Sequence, residues 1–231
     1  MNELALFAGA GGGLLASRIL GWRTVCAVEV NRDRRDMVCA RQDDGCLDPF
    51  PIWDDIRTFS GIEWRGRVDV VSGGFPCQAY STATRGKSVA DDLWPEMRRV
   101  VADVAPRYVF AENVARRAID AACDDLEAMG YKTRAIALSA ADLGADHIRK
   151  RYWLCAYTDG GGELLRTVNA EASELQGICE GLWQTDPRDT RMADGLADRM
   201  DRIVASGNGQ VAIVAAAAWG ILMAAIAKES E

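Results

Sequence analysis

Short apolar runs alternate with amphipathic stretches along roughly the first two thirds of the chain. Apolar runs bounded by glycine or acidic residues predict buried strands, and longer stretches with apolar residues at helical spacing predict helices. The predicted strands are residues 4–7, 24–28, 68–72, 108–111, 131–138 and 151–156, and the last two are candidates for antiparallel pairing. The predicted helices are residues 14–20, 31–42, 92–104 and 119–129.

Strands that alternate with helices predict an α/β fold with a doubly wound, Rossmann-like sheet. In such sheets ligands bind beyond the carboxyl ends of the strands. The unusual residues of this sequence stand at those ends. They are the glycine run after the first strand, Glu29, the pair Gly73-Gly74, and Glu112. Their clustering predicts a binding site at one edge of the sheet.

The pattern changes after residue 158. Glycine and acidic residues become more frequent over residues 159–202 and the apolar period weakens, which predicts a small irregular lobe. Residues 203–231 then return to an apolar, alanine-rich stretch. Its uncharged part, residues 211–227, is shorter and less apolar than a membrane span requires, so we expect a buried helix. The predicted units are therefore 1–158, 159–202 and 203–231, with no membrane segment.

Charge and cysteine content restrict the class of protein. The net charge of −7 argues against nonspecific nucleic-acid binding through bulk charge, although a local basic face is compatible with it. Seven cysteines without CxxC pairs and a single histidine predict neither a disulfide framework nor a metal site. Reduced thiols and an N-terminus without signal-peptide character indicate a cytoplasmic protein.

A glycine run directly after a strand allows the backbone to approach a ligand closely. Glu29, at the end of the next strand, is placed to bind a ribose diol. The dinucleotide fingerprint requires glycine at its sixth position, where this chain has Leu14. A nucleoside ligand without a pyrophosphate is therefore favoured over a dinucleotide, and a glycine turn made only for packing is the alternative.

Cys77 follows Gly73-Gly74-Phe75-Pro76 at a predicted strand end, where nearby backbone N–H groups would favour a thiolate. Glu112 ends the next strand and could lie beside it. A thiolate next to a carboxyl group suits an electrophilic heteroaromatic ring that needs a proton at nitrogen. A solvated acid is the alternative role for Glu112. Three further cysteines lie in apolar stretches and are predicted to be core residues, namely Cys26, Cys39 and Cys155.

In combination these residues resemble the cytosine-C5 DNA methyltransferase family. The matching segments are Phe7 to Gly12 (FxGxGG), Glu29, Asp55-Ile56, Gly74 to Gln78 with Ser81, Leu93, Glu112-Asn113-Val114, Arg149-Lys150-Arg151 and Gly207-Asn208. The resemblance covers nearly the whole chain except residues 159–200. It implies an S-adenosylmethionine (AdoMet)-binding catalytic domain, a target-recognition lobe at 159–202, and a C-terminal helix that returns to the catalytic domain.

The resemblance also implies roles for individual residues. The implied catalytic residues are Cys77, Glu112, Arg149 and Arg151. The implied cofactor-binding residues are Phe7, Gly9, Gly11, Gly12, Glu29, Asp55, Ile56, Pro76, Leu93 and Asn208. The implied DNA-binding residues are Gln78, Ser81, Arg85, Lys87, Asn113 and His147. His147 stands where the family usually has glutamine, so we expect a polar contact beside DNA and no metal ligation.

The implied activity is transfer of a methyl group from AdoMet to C5 of a cytosine that has flipped out of double-stranded DNA. The short, acidic lobe leaves sequence recognition open. Three alternatives remain at this level: methylation of tRNA, a catalytically silent subunit, and a catalytic subunit or dimer in which a partner supplies recognition. The implied setting is a bacterial or phage-infected cell, in a restriction system or in protection of a phage genome.

Overall fold

The computed structural model describes residues 1–76, 92–145, 147–158 and 210–229. The strands are β1 (Asn2–Leu6), β2 (Arg23–Val28), β3 (Ile52–Trp53), β4 (Val70–Gly74), β5 (Tyr108–Asn113), β6 (Lys132–Leu138) and β7 (Arg151–Tyr157). The helices are α1 (Gly12–Ile19), α2 (Arg32–Asp43), α3 (Trp94–Val104), α4 (Arg116–Ala128) and α5 (Ala212–Glu229), with short 3-10 turns at Ile62–Trp64 and Ala141–Leu143.

The described strands form one sheet in the order β3-β2-β1-β4-β5-β7-β6. Strands β1 to β5 run parallel, while β7 is antiparallel to both β5 and β6. This arrangement confirms the predicted α/β fold and the antiparallel pairing of the last two strands. The two-residue strand β3 was not predicted, because so short a segment carries no readable period.

Alternate residues of each strand pack on opposite faces of the sheet, as strand geometry requires. Leu4, Leu6 and Val109 contact α3 and α4 in one apolar cluster. On the other face, Tyr108 and Phe110 contact residues of α1 and α5. A third apolar cluster packs α2 against the same face of the sheet that α1 covers. The sheet is therefore covered by helices on both sides, and its carboxyl edge is left to form a site.

Helix α5 is buried against the sheet, as the alanine-rich stretch predicted. Trp219, Leu222 and Met223 are fully buried, and they pack with residues of α1, β5 and β7. Within the described ranges, none of the helices combines the length and apolar character needed to cross a membrane.

A charged residue is buried between β1 and its neighbours. Glu3 is 1% exposed and accepts hydrogen bonds from the hydroxyls of Ser17 (2.6 Å), Thr24 (2.7 Å) and Ser72 (2.6 Å). Burial raises the pKa of the Glu3 carboxyl, and the three hydrogen bonds oppose that rise. Glu3 thus ties α1, β2 and β4 to β1 directly behind the glycine loop.

We expect Glu3→Ala to lower the free energy of unfolding by roughly 2–4 kcal/mol, because three hydroxyls, one of them fully buried, lose their acceptor and a cavity forms. Since the folded pKa is raised, the folded state holds the proton more tightly than the unfolded state. The wild-type protein therefore loses stability as pH rises above the ordinary carboxyl pKa. Glu3→Gln should flatten that dependence. Urea denaturation at several pH values measures both effects.

The exposed Glu63 provides the matched control. Glu63→Ala should change the free energy of unfolding by less than about 0.5 kcal/mol. An equally small effect of Glu3→Ala would contradict the structural role of the buried carboxyl.

Candidate active site

The glycine loop begins where β1 ends. Phe7 has a backbone φ of 54°, in the left-handed region, and Gly9 and Gly11 have φ values of 57° and 93°. A left-handed φ is strained for an aromatic residue and is held by surrounding contacts, a feature that concentrates at functional sites. The loop turns sharply here and leads into α1 at the carboxyl edge of the sheet.

Glu29 lies at the end of β2, beside this loop, and is 5% exposed. Its carboxylate accepts hydrogen bonds from the backbone N–H of Gly9 (2.7 Å) and of Asn31 (2.9 Å), and Arg34 lies 3.9 Å from it. A carboxylate has about four acceptor positions, so Glu29 keeps acceptor capacity after these two bonds.

A cavity of about 450 Å³ opens at the carboxyl edge of the sheet. The residues predicted for the site that line it are Phe7, Gly9, Glu29, Ile56, Pro76, Leu93, Glu112, Asn113 and Arg151. The glycine loop and Glu29 therefore share one cavity with Glu112 and Arg151. Residues predicted to bind a nucleoside and residues predicted to transfer a proton thus line the same space, although they come from distant parts of the sequence.

Several predicted cofactor residues lie elsewhere. Gly11 and Gly12 are absent from the cavity wall. Gly11 instead forms the turn before α1, and a Cβ at Gly12 would overlap with the carbonyl oxygen of Gln210. The carboxylate of Asp55 accepts a hydrogen bond from the N–H of Arg57 (2.9 Å), while its neighbour Asp54 lines the cavity.

The remaining predictions divide into two groups. His147 is exposed, and neither it nor Arg149 lines the cavity. The predicted residues Cys77, Gln78, Ser81, Arg85, Lys87 and Asn208, together with the lobe at 159–202, lie outside the described residues.

Glu112 is the second-last residue of β5 and is 7% exposed. It pairs in parallel register with Gly74, three residues before Cys77 in the chain. The Nε of Arg151 lies 3.0 Å from Oε1 of Glu112, yet this oxygen accepts no hydrogen bond from any residue that the structure describes. A buried oxygen with a cationic neighbour and no donor is typical of a ligand-binding position.

Burial raises the pKa of the Glu112 carboxyl, against the opposing effects of Arg151, of a hydrogen bond from Gln210, and of Arg149. Burial and the charge of Arg151 lower the pKa of Arg149. The carboxyl therefore holds its proton to higher pH than an exposed glutamate. A carboxyl that keeps its proton in this way can donate it to a ring nitrogen.

The segment leading to Cys77 is fixed by side chains of the next strand and helix. Asn113 is 3% exposed and donates a hydrogen bond from Nδ2 to the carbonyl of Phe75 (2.9 Å). Its Oδ1 accepts from the N–H of Ala115 (2.9 Å), and the ring of Phe75 packs 5.0 Å from that of Trp94. Because both polar atoms of the Asn113 amide are engaged within the protein, its position differs from the expected DNA contact.

The family model described as C-5 cytosine-specific DNA methylase matches residues 1–190. The chain belongs to this family. Membership in the C-5 cytosine-specific DNA methylases confirms the resemblance that the motifs indicated. The glycine loop, Glu29, Glu112 and Arg151 are thus the described parts of a C-5 methylase domain.

Two curated relatives illustrate the similarity. The Type II methyltransferase M1.HphI of Haemophilus parahaemolyticus is 33% identical over 179 residues, which cover 70% of this chain and 47% of that protein. The Type II methyltransferase M.NgoMIV of Neisseria gonorrhoeae is 29% identical over 160 residues, which cover 65% of this chain and 49% of that protein. The chain spans about half the length of these relatives.

Among solved structures, the S. pombe Dnmt2 methyltransferase superposes with a TM-score of 0.55 at 20% identity, over 69% of this chain and 51% of that one. This likeness shows the shared fold of the sheet and its helices.

Within this C-5 methylase domain, the burial of the cysteines agrees in part with the prediction that three of them are core residues. Cys26 and Cys155 are buried as predicted, and burial raises the pKa of Cys26 to about 11. The prediction for Cys39 was wrong, because it lies exposed on α2. Its neighbour Val38 faces the core, and the helical turn of 100° per residue directs Cys39 outward.

Gln210 is a residue of the cavity wall that the sequence analysis did not predict. Gln210 contacts Glu112 and the start of α1, and it stands two positions beyond the predicted cofactor residue Asn208. Glutamine before an apolar helix carries no periodic or motif signal. Only the packing of α5 against α1 brings it to the site.

Proposed function

We propose that the chain is the catalytic part of a DNA (cytosine-5-)-methyltransferase, which transfers a methyl group from AdoMet to C5 of a cytosine in DNA. The observation that carries this proposal is the single cavity that joins Glu29 to the Glu112–Arg151 pair. A nucleoside cofactor and a nucleobase would meet there. Family membership supports the same activity.

The residues present fit the proposed cofactor. Glu29 keeps acceptor capacity for the ribose hydroxyls, and Ile56 and Leu93 provide apolar wall for an adenine ring. The space beside Gly9 is open, because a Cβ built there would meet only the Phe7 carbonyl oxygen, at 3.9 Å. A ligand can therefore approach the Gly9 backbone closely. Bound at this site, AdoMet would supply an electrophilic methyl group.

The proposed chemistry begins with Cys77. Its thiolate adds to C6 of cytosine while the Glu112 carboxyl donates its proton to N3, so that C5 becomes nucleophilic. Arg151, and Arg149 behind it, stabilise the carboxylate left by that proton and hold the polar edge of the base. After C5 has taken the methyl group, water takes the C5 proton, the N3 proton returns to the Glu112 carboxylate, and departure of the Cys77 thiolate releases 5-methylcytosine.

The proposed substrate is double-stranded DNA with the target base flipped out, because C5 is inaccessible within the stack. Gln78, Ser81, Arg85, Lys87 and His147 are the proposed DNA contacts. The finer proposals are a cytoplasmic location in a bacterial or phage-infected cell, and a partner subunit or dimer that contributes to target recognition.

Methyl transfer from tritiated AdoMet by the purified full chain tests the function. Duplex DNA should become labelled and tRNA should not, and bisulfite sequencing of a plasmid from expressing cells should give the target sequence. Labelling of tRNA alone would overturn the DNA assignment. Labelling of DNA only after a second protein is added would support the partner proposal.

The wall of the proposed adenine site depends on an arginine of α3. Arg99 donates hydrogen bonds to the carbonyls of Ile56 (2.6 Å) and Phe59 (2.9 Å) and is held by Glu96 at 2.9 Å. A guanidinium can reach both carbonyls at once because its donors are arranged in a rigid fork. Arg99 therefore fixes the loop that carries Ile56.

We expect Arg99→Lys to weaken AdoMet binding about tenfold, equivalent to about 1.4 kcal/mol, because one ammonium cannot hold both carbonyls. Isothermal titration calorimetry measures this. The neighbouring Arg98→Lys is the matched control, since Arg98 forms a half-exposed ion pair with Asp125 and should change the affinity less than twofold. Equal affinities of the two variants would contradict the role of Arg99.

A further inference from the structure

Three glycines surround the side chain and backbone of Gln210. A Cβ at Gly12 would overlap with the Gln210 carbonyl oxygen, and a Cβ at Gly13 would lie 2.6 Å from Oε1 of Gln210. At Gly74, a Cβ would lie 3.1 Å from Nε2 of Gln210 and 2.8 Å from Oε2 of Glu112. No side chain fits at these positions without displacing Gln210 or Glu112.

The amide of Gln210 therefore spans the space between two elements of the site. Its Oε1 end lies against Gly13 at the start of α1, and its Nε2 end lies beside Gly74 and the carboxyl of Glu112. The amide donates a hydrogen bond to Glu112. The backbone of Gln210 is held by the close approach to Gly12, directly before α5 begins at Ala212.

This hydrogen bond constrains the orientation of the carboxyl group. The amide of Gln210 and the guanidinium of Arg151 both contact Glu112, and Oε1 of Glu112 accepts no hydrogen bond from the described residues. With one side of the carboxyl held by an amide, the group cannot rotate freely. The other oxygen, Oε1, is held by the charge of Arg151 at 3.0 Å.

We propose that Gln210 is a positioning residue that fixes the Glu112 carboxyl in the orientation needed to protonate the target cytosine. The proposal rests on the proposed function, since it concerns the same carboxyl. Gln210 acts through Glu112, so a change there should affect kcat far more than the affinity for AdoMet.

The electrostatic consequence has a definite sign. The charged groups facing Glu112 in the described part of the chain are Arg151 and Arg149, and Gln210 adds a neutral donor. A donor to a carboxylate favours its ionised form, so loss of the Gln210 amide raises the pKa of Glu112. Activity that requires the protonated carboxyl would then persist to higher pH, although its maximum is lower because the carboxyl is no longer oriented.

The test compares Gln210→Met and Gln210→Glu with Gln42→Met in the full chain. Gln42 is a matched control, because its amide donates to the carbonyl of Phe50 (2.9 Å) away from Glu112. We expect Gln210→Met to lower kcat about tenfold with less than twofold change in AdoMet affinity, and to move the alkaline limb of the pH–rate profile upward. Gln210→Glu is isosteric and places a second carboxyl beside Glu112, so the alkaline limb of its pH–rate profile should move to still higher pH. An unchanged kcat and limb in both variants would overturn the proposal.

A second measurement does not depend on turnover. Carbon-13 NMR of glutamate-labelled chain, with the Glu112 signal assigned by its loss in Glu112→Gln, follows the titration of that carboxyl. A higher Glu112 pKa in Gln210→Met, and an unchanged Glu112 pKa in Gln42→Met, would support the contact between Gln210 and Glu112. An identical Glu112 titration in wild type and Gln210→Met overturns it. If the titration moves but the wild type methylates neither DNA nor tRNA, the proposed function fails and the contact between Gln210 and Glu112 stands.

Discussion

We expect methyl transfer to fall at least about a thousandfold in Cys77→Ser, because a serine hydroxyl ionises far less readily than a thiol and adds poorly to C6. The affinity for AdoMet should stay within about twofold of wild type, since the proposed cofactor contacts at Glu29, Ile56 and Leu93 are unchanged. Tritium transfer to duplex DNA and calorimetric AdoMet titration measure the two quantities separately. Turnover at the wild-type rate in this variant would exclude Cys77 as the nucleophile.

Cys39→Ser is the matched control, because Cys39 is exposed on α2 and outside the cavity wall. It should retain full activity. A duplex that contains 5-fluorocytosine gives an independent check, since fluorine at C5 cannot leave as a cation and the thiol adduct persists. Mass spectrometry should find that adduct at Cys77, and an adduct on another cysteine would contradict the assignment.

Glu112→Gln should lower kcat by about a hundredfold to a thousandfold, the range expected for loss of a general acid. Glutamine fills the same space but cannot give a proton to N3, so AdoMet affinity should be nearly unchanged. The pH dependence should change as well. Because burial raises the pKa of Glu112, the proton-donating form of this carboxyl is present below that pKa and is lost as pH rises through it, so wild-type activity should decline on the alkaline side.

The glutamine variant should lack this decline, which a pH–rate profile with tritiated AdoMet will show. Glu63→Gln, at an exposed position, serves as the control and should keep the wild-type profile. A Glu112→Gln variant with the wild-type profile and rate would rule out proton donation by this carboxyl.

Local patterns predicted most elements because each carries its own period. The boundaries moved where tertiary contacts decided them. Helix α1 begins at Gly12, earlier than the apolar period suggests, since Gly11 supplies the left-handed turn before it. Helix α4 begins at Arg116, where the Asn113 side chain bonds to the N–H of Ala115 and directs the chain into the helix.

The roles of single polar residues were predicted less well than the elements that carry them. Asn113 was expected at the DNA, yet both of its polar atoms hold the chain around Phe75 and Ala115. Gly12 was expected at the cofactor, yet its missing side chain makes room for the backbone of Gln210. In both cases the motif marks a required residue, while the reason for the requirement is a contact with a distant segment.

The sequence by itself determined the fold class, the family and the residues proposed to carry the chemistry, because strand period, glycine turns and motif order are local properties of the chain. Only the tertiary structure decided which of these residues share a space. Parallel pairing of β4 with β5 sets Glu112 beside Gly74, antiparallel β7 brings Arg151 to Glu112, and the packing of α5 on α1 places Gln210 against the same carboxyl. Such contacts depend on strand order and helix packing over long sequence separations, and no local spacing encodes them.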